Sequence, residues 1–282
     1  MRTYFITGAS GTIGSNVVKA LLEKNDGVIA ATRHPEKSAA LFGDKVESVS
    51  FDYDDASTFD HALEGDGIFL LGPPLYSDLF NLLVPFVDFL VSNKYSGRIV
   101  YLSAYGMDEM EELPFHRQME DKLKASALDW TIVRPGFFMQ NFGNYERENI
   151  EERNMLFSPA GNGKTPFVSA VDVGSAVAEL LVDLNRSKEI HILTGAVPYS
   201  YFDIAEILSD ITGKKIVYPN PNDETYRKVL KESGAPDMIA DYMLPVYRLI
   251  KNGIVEETHQ GVQELTGNKP EELRVVLERD FG

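Results

Sequence analysis

A doubly wound α/β fold, with a parallel sheet covered on both faces and a smaller C-terminal lobe, is what the sequence predicts. Three observations carry it. Short β-rich runs alternate with helical stretches over the first two thirds of the chain, as in βαβ units. The strand candidates are almost uninterruptedly apolar, as strands buried on both faces are. The glycine-rich stretch GASGTIG sits between the first strand and the first helix, the place where a doubly wound fold binds a nucleotide.

In chain order, RTYFIT at residues 2–7 reads as the first strand. The helix SNVVKALLEKN follows the glycine stretch, with Val17, Val18, Leu21 and Leu22 at helical spacing. GVIAATR, KVESVSF and GIFLLG read as the next three strands, with ASTFDHALEG and SDLFNLLVPFVDFLVSNKY as intervening helices. GRIVYLSA is a strand, LPFHRQMEDKLKAS a helix and DWTIVRP another strand. After Pro135 the segment GFFMQNFGNYERENIEERNMLFSPAGNGKTPFVS is rich in aromatics, Asn and Gly, as loop-borne binding surfaces are. The aromatic run FFMQNFGNY within it reads as core or as a binding wall. AVDVGSAVAELLVDL returns to a helix and EIHILTG to a strand, and helices joined by short links continue from about residue 197. The expected division is a nucleotide-binding Rossmann domain over 1–135, a return to the sheet at 166–195, and a mostly substrate-binding lobe over 136–282.

The chain has 282 residues, enough for a large core, and a formal net charge of -16. That balance argues against capture of nucleic acid or of an anionic membrane. Without cysteine, disulfides, thiolate metal sites and a Cys nucleophile are excluded. The charged runs DEMEE and RENIEER read as solvated faces, and no metal site is expected. No apolar run approaches a bilayer span. MRTYFITGAS enters a strand at once, without the regions of a signal peptide, so the expected protein is soluble and cytoplasmic, a monomer or homodimer.

Gly8, Gly11 and Gly14 are spaced GxxGxxG. They suit a tight turn, close approach of backbone to a pyrophosphate, and close packing of helix on strand. The helix N-terminus offers free N–H groups to phosphate, Ser10 and Thr12 can add hydroxyls, and Ile13 lies within the loop. The second strand ends in Thr32, Arg33 and His34 with no acid. An NAD site places an acid there for the ribose hydroxyl, whereas a guanidinium suits a 2′-phosphate. Arg33 therefore favours NADP(H) over NAD(H), the alternative being a solvated surface arginine.

TGASGTIG, TRHPEK, FDYDDASTFDHALEG, IFLLGPP, YLSAYG, HRQMEDKLKASALDWTIVRPGFFMQNF, GNGKTPFVSAVDVGSAV and FDIAEILSDITGKKIVY, in this order, resemble the NmrA-like family of atypical short-chain dehydrogenases/reductases. That family includes type 2 NAD(P)H:quinone oxidoreductases, festuclavine-type dehydrogenases and cofactor-binding regulators without turnover. The resemblance covers essentially the whole chain and implies a Rossmann domain with NAD(P) lying against a small C-terminal lobe. It further implies an adenine-side contact at Asp52, with neighbouring Tyr53; Asp52 reads equally as a turn residue. Leu71, Gly72, Pro73 and Pro74 would run along the cofactor, Ser103 and Pro135 would stand at the nicotinamide side, and Lys122 would contact the nicotinamide ribose. Phe137, Phe138 and Asn141 would face the substrate.

Four residues before Lys122, where many such enzymes carry a catalytic tyrosine, stands Gln118, which supplies no proton. Other candidates for chemistry are Lys122, Tyr105 and His116; the blander readings of the last two, a packing tyrosine and a surface or helix-end histidine, carry more weight. A site without a strong acid suits an activated acceptor, because hydride transfer asks the protein chiefly to position reactants and exclude water. The expectation is an NAD(P)H-dependent reductase of a small activated acceptor, quinones favoured. The alternative is a non-catalytic NADP(H) sensor acting through a protein partner.

Overall fold

In the computed structural model, which describes residues 1–282, strand β1 (Thr3–Thr7) leads through the glycine stretch into α1 (Thr12–Glu23). β2 (Gly27–Thr32), α2 (Pro35–Phe42), β3 (Glu47–Ser50), β4 (Gly67–Leu70) and α3 (Leu79–Ser92) follow. β5 (Arg98–Leu102), α4 (Phe115–Ala125) and β6 (Asp129–Pro135) continue the alternation. Beyond them come α5 (Asn141–Tyr145), α6 (Arg147–Arg153), β7 (Lys164–Thr165), α7 (Ala170–Val182), β8 (Ile190–Leu193) and β9 (Tyr199–Ser200). Helices α8 (Tyr201–Thr212), α9 (Asp223–Glu232), α10 (Asp237–Lys251), α11 (Gly261–Thr266) and α12 (Leu273–Phe281) complete the chain.

The main sheet is seven-stranded in the order β3-β2-β1-β4-β5-β6-β8, and every pairing in it is parallel. This is a Rossmann-like doubly wound sheet. The strand order reverses between β1 and β4, which opens a crevice beyond their carboxyl ends, the ligand position in such sheets. No helix is long and apolar enough to cross a membrane.

The period of two along the strands divides the core by sheet face. Phe5, Ile29, Ile68, Ile99 and Ile132 pack with Phe86 of α3 and Met119 of α4, and this core runs on into the lobe through Tyr201 and Tyr247. Tyr4, Ile6, Phe69, Val100 and Val133 pack on the other face with Val17 of α1 and Val177 of α7. Helices α1 and α7 approach closely because Gly174 has no side chain. A Cβ there would lie 2.7 Å from the backbone carbonyl carbon of Asn16.

One expected helix is absent. Residues 56–65 form two short 3₁₀ segments, Ala56–Thr58 and Asp60–Glu64. The Asp55 carboxylate accepts from the N–H of Ser57 and fixes a tight local turn in place of a regular helix.

The candidate nucleotide and acceptor site

The glycine stretch is shaped by contacts that only glycine allows. Gly8 has φ +63, a left-handed conformation costly for other residues. The Gly11 N–H donates to the Gly8 carbonyl at 2.9 Å. A Cβ on Gly14 would lie 2.2 Å from that same carbonyl oxygen, so α1 sits directly against the turn. Gly11 is the N-cap of α1 and no side chain caps the helix, which leaves its first N–H groups free for an anion at the carboxyl edge. The Ser10 hydroxyl is 3.1 Å from Thr32 Oγ1 and ties the loop to the end of β2. Exposed Thr12 accepts from Asn144 Nδ2 of α5 at 3.5 Å, while Ile13 packs against the smaller core. Just past Thr32, Arg33 is exposed, and its guanidinium makes no hydrogen bond or ion pair within the chain.

The loop after β4 is fixed beside Gly8. Thr7 Oγ1 accepts from the Leu71 N–H at 2.8 Å and lies 2.9 Å from the Phe69 carbonyl. The Tyr53 phenol donates to the Leu71 carbonyl at 2.9 Å, and its ring packs edge-on against Phe51 at 4.8 Å. Burial raises the Tyr53 pKa, so the phenol remains a donor. Leu71 thereby stands against the glycine turn, where a Cβ on Gly8 would be 3.0 Å from Leu71 Cδ2. Asp52 Oδ1 accepts from the Asp54 N–H at 3.1 Å, the turn role left open by the sequence. Thr7, whose hydroxyl organises this loop, escaped sequence reading because it looks like any β-strand threonine.

Helix α4 sorts its candidate residues onto two flanks. Phe115, Met119 and Leu123 are its buried apolar stripe. His116 and Glu120, four residues apart, share one flank of that stripe. Lys122 lies about 200° around the helix from Glu120, on the other flank with Gln118, which is exposed. The Lys122 ammonium binds Asp88 of α3 at 2.6 Å. This pairing turns it toward α3 and gives no support to the expected ribose contact.

Glu120 is fully buried. It accepts from Ser103 Oγ at 2.7 Å, from Arg134 Nε at 2.8 Å and Nη2 at 2.7 Å, and from Lys124 Nζ at 2.9 Å. Burial alone would raise its pKa, but the bonds from Arg134, Ser103 and Lys124 outweigh it and hold the carboxyl below its ordinary value. The arrangement clamps α4 to β5 and β6. It also engages the hydroxyl of Ser103, expected at the nicotinamide side, inside the protein. His116 Nδ1 is 2.7 Å from the buried Tyr101 phenol. Burial pushes its pKa down to about 4, against the smaller opposing effect of the Glu120 charge. His116 is thus neutral near pH 7 and occupied, which disfavours the proton-shuttle role considered for it.

Beyond β6 the chain builds a wall. The Pro135 carbonyl accepts from the Tyr105 N–H at 2.9 Å, and the Phe137 carbonyl from the Val168 N–H at 2.8 Å. Phe138 forms an isolated bridge with Val168. Phe137 and Phe138 are half-buried, whereas Met139 and Phe142 are buried and Tyr145 is exposed. The aromatic run is therefore part core and part surface. Asn141 opens α5, half-buried, and its side chain has no hydrogen bond within the chain. The Tyr105 hydroxyl is 3.2 Å from His259 Nε2. Sequence reading missed His259, which lies 154 residues away.

Two hollows lie elsewhere: about 610 Å³ at the amino edge around Arg2, Asp66 and Arg98, and about 380 Å³ beside α8 around Lys164, Asp203 and Asp210. Glu47, His61 and Glu64 bring ligand atoms within 4.8 Å of one another, but all are exposed, and β3 starts at Glu47, far from the carboxyl edge.

Comparison with known proteins agrees with this architecture. The NmrA-like family profile matches residues 2–274. Prestalk A differentiation protein A of Dictyostelium discoideum is 27% identical over 280 residues, spanning 98% of this chain and 91% of its own. Agroclavine dehydrogenase of Claviceps fusiformis is 26% identical over 280 residues, spanning 95% of this chain and 93% of its own. The NADPH-dependent quinone oxidoreductase of Escherichia coli, solved with NADPH, superposes with a TM-score of 0.89 at 21% identity, covering 99% of this chain and 100% of that one. The structural likeness shows a shared fold, and with the family profile spanning nearly every residue, this chain belongs to the NmrA-like family.

Proposed function

We propose that the chain is an NAD(P)H-dependent oxidoreductase that uses NADPH to reduce a small activated acceptor, quinones being the favoured class. The observation that carries this reading is a glycine turn at the reversal point of the sheet, joined through Ser10 and Thr32 to a strand end bearing the uncommitted Arg33. The donor set fits a phosphorylated dinucleotide: free helix N–H groups for the pyrophosphate, and a guanidinium with no acid beside it for a 2′-phosphate. Leu71, Gly72 and Pro73 would line the nucleotide, with Asp52 and Tyr53 on its adenine side. Ser103 would shape the nicotinamide end from within, and Pro135 would border it. Phe137, Phe138 and Asn141 would form the acceptor wall.

A bound nicotinamide supplies the hydride, and the chain positions the acceptor and excludes water. Gln118 does not count against turnover, because its flank of α4 is turned away from the Ser103 end of β5. The names of the quinone oxidoreductase and agroclavine dehydrogenase relatives support an activated acceptor. The test follows NADPH consumption with a panel of quinones and iminium compounds, alongside NADPH binding. Oxidation with at least one acceptor is expected; tight binding with no turnover on any acceptor would leave the non-catalytic sensor as the better reading.

A further inference from the structure

The register of α4 removes the obvious proton donors from the reaction. Gln118 is exposed, Ser103 Oγ is given to Glu120, and His116 is neutral near pH 7 and bonded to Tyr101. A quinone that accepts hydride still needs a proton to become a hydroquinone.

One pair at the carboxyl edge remains. Tyr105 stands just past β5, its N–H bonded to the Pro135 carbonyl at 2.9 Å. His259 arrives from the C-terminal lobe. Its N–H donates to Thr194 Oγ1 at 2.8 Å and its carbonyl accepts from that hydroxyl at 3.3 Å. Thr194 is fully buried at the end of β8, and the adjacent bridge of Gln260 with Leu193 adds a second tie. The ring of His259 is thus aimed by its backbone. It meets Tyr105 edge-on, centroids 5.1 Å apart at 86°, with Tyr105 Oη 3.2 Å from Nε2. Both residues are half-buried, leaving part of the pair open to an incoming molecule. Burial, and then the charge of Glu257, raises the Tyr105 pKa, so the phenol keeps its proton until an oxyanion lies beside it.

The geometry points to Tyr105 and His259 as a proton relay, assembled only when the lobe docks on the sheet, that protonates the reduced acceptor. It rests on the reductase reading above. The quinone gains hydride from NADPH and becomes a hydroquinone monoanion. Its oxyanion takes the proton of Tyr105 Oη as that O–H bond breaks. The tyrosinate takes a proton from His259 Nε2, 3.2 Å away, as the imidazole takes one from solvent. The net change is quinone, NADPH and one proton to hydroquinone and NADP⁺.

The experiment compares Tyr105→Phe and His259→Gln in the full chain on two acceptors, a benzoquinone and N-methylacridinium, which takes hydride without a proton. Because His259 is anchored through its backbone, changing the ring leaves the docking contacts in place. The relay predicts a loss on the order of 10²-fold in kcat with the benzoquinone, confined to that acceptor. NADPH affinity, read by cofactor fluorescence, is unchanged. In the free protein, Tyr105→Phe moves the nitrogen NMR resonance of His259 Nε2, which loses its phenol partner. Full benzoquinone rates in both variants, equal losses on both acceptors, or an unmoved Nε2 resonance overturns the relay alone. A wild-type chain that binds NADPH but turns over neither acceptor overturns the reductase reading, and the relay with it.

Discussion

Replacing Arg33 by Ala separates the 2′-phosphate contact from the rest of the fold. Arg33 is exposed and has no partner in the chain, so stability should change by less than about 0.5 kcal/mol. A guanidinium bonded to a phosphate contributes about 1.5–3 kcal/mol, which corresponds to roughly 10–150-fold in Kd for NADPH. The open position favours the lower part of that range, since solvent screens exposed charge pairs. NADH lacks the phosphate, so its affinity should change less than about twofold, the scatter of an ordinary surface substitution. Calorimetric titration of both proteins with both nucleotides, at low and raised salt, provides the assay. The NADPH effect should shrink with salt. Unchanged NADPH affinity, or equal losses for the two nucleotides, refutes the role given to Arg33.

Three further perturbations follow from the same geometry. Gly14→Ala places a Cβ 2.2 Å from the Gly8 carbonyl oxygen and forces α1 outward; about 1–3 kcal/mol of stability and most NADPH affinity should go, and a melt and titration like wild type would count against the pyrophosphate site. Glu120→Gln should cost about 2–4 kcal/mol, toward the lower end for a broken buried pair, because Arg134 keeps Asp108 at 2.7 Å. The folded Glu120 pKa lies below its ordinary value, so its contribution is present above the ordinary carboxylate range and is lost as pH falls through the folded value; denaturant midpoints against pH should show a flatter acid limb in the variant, and parallel limbs contradict the clamp. Lys122→Ala should cost only about 0–1 kcal/mol, as exposed pairs do, and leave NADPH affinity intact; a tenfold loss would return that lysine to the ribose.

The sheet, the glycine turn and the helices of the C-terminal lobe were legible because each depends on local pattern. Gly8, Gly11 and Gly14 between an apolar strand and an amphipathic helix admit few other structures. The register of α4 was not legible. Phe115, Met119 and Leu123 fix which stripe is buried, but His116 with Glu120 and Gln118 with Lys122 border it on opposite sides at the same spacing. Only tertiary packing chooses between them. A signal was present in Arg134, the cation in the apolar strand DWTIVRP, because an arginine there needs a buried acid, and Glu120 is the acid on the apolar side of α4. The His259 contact with Tyr105 spans 154 residues and follows from how the lobe returns to β8, which no local pattern encodes. The helix expected at 56–65 failed for the opposite reason, since a good helical composition lost to a turn fixed by Asp55.

The placement of the nucleotide is tested most directly by a crystal structure of the NADPH complex. The predicted result is a 2′-phosphate within hydrogen-bond distance of the Arg33 guanidinium, a pyrophosphate on the first N–H groups of α1, and a nicotinamide beside Pro135 and Phe137. A nucleotide bound away from the glycine turn, or one whose 2′-phosphate lies free of Arg33 in solvent, would contradict it.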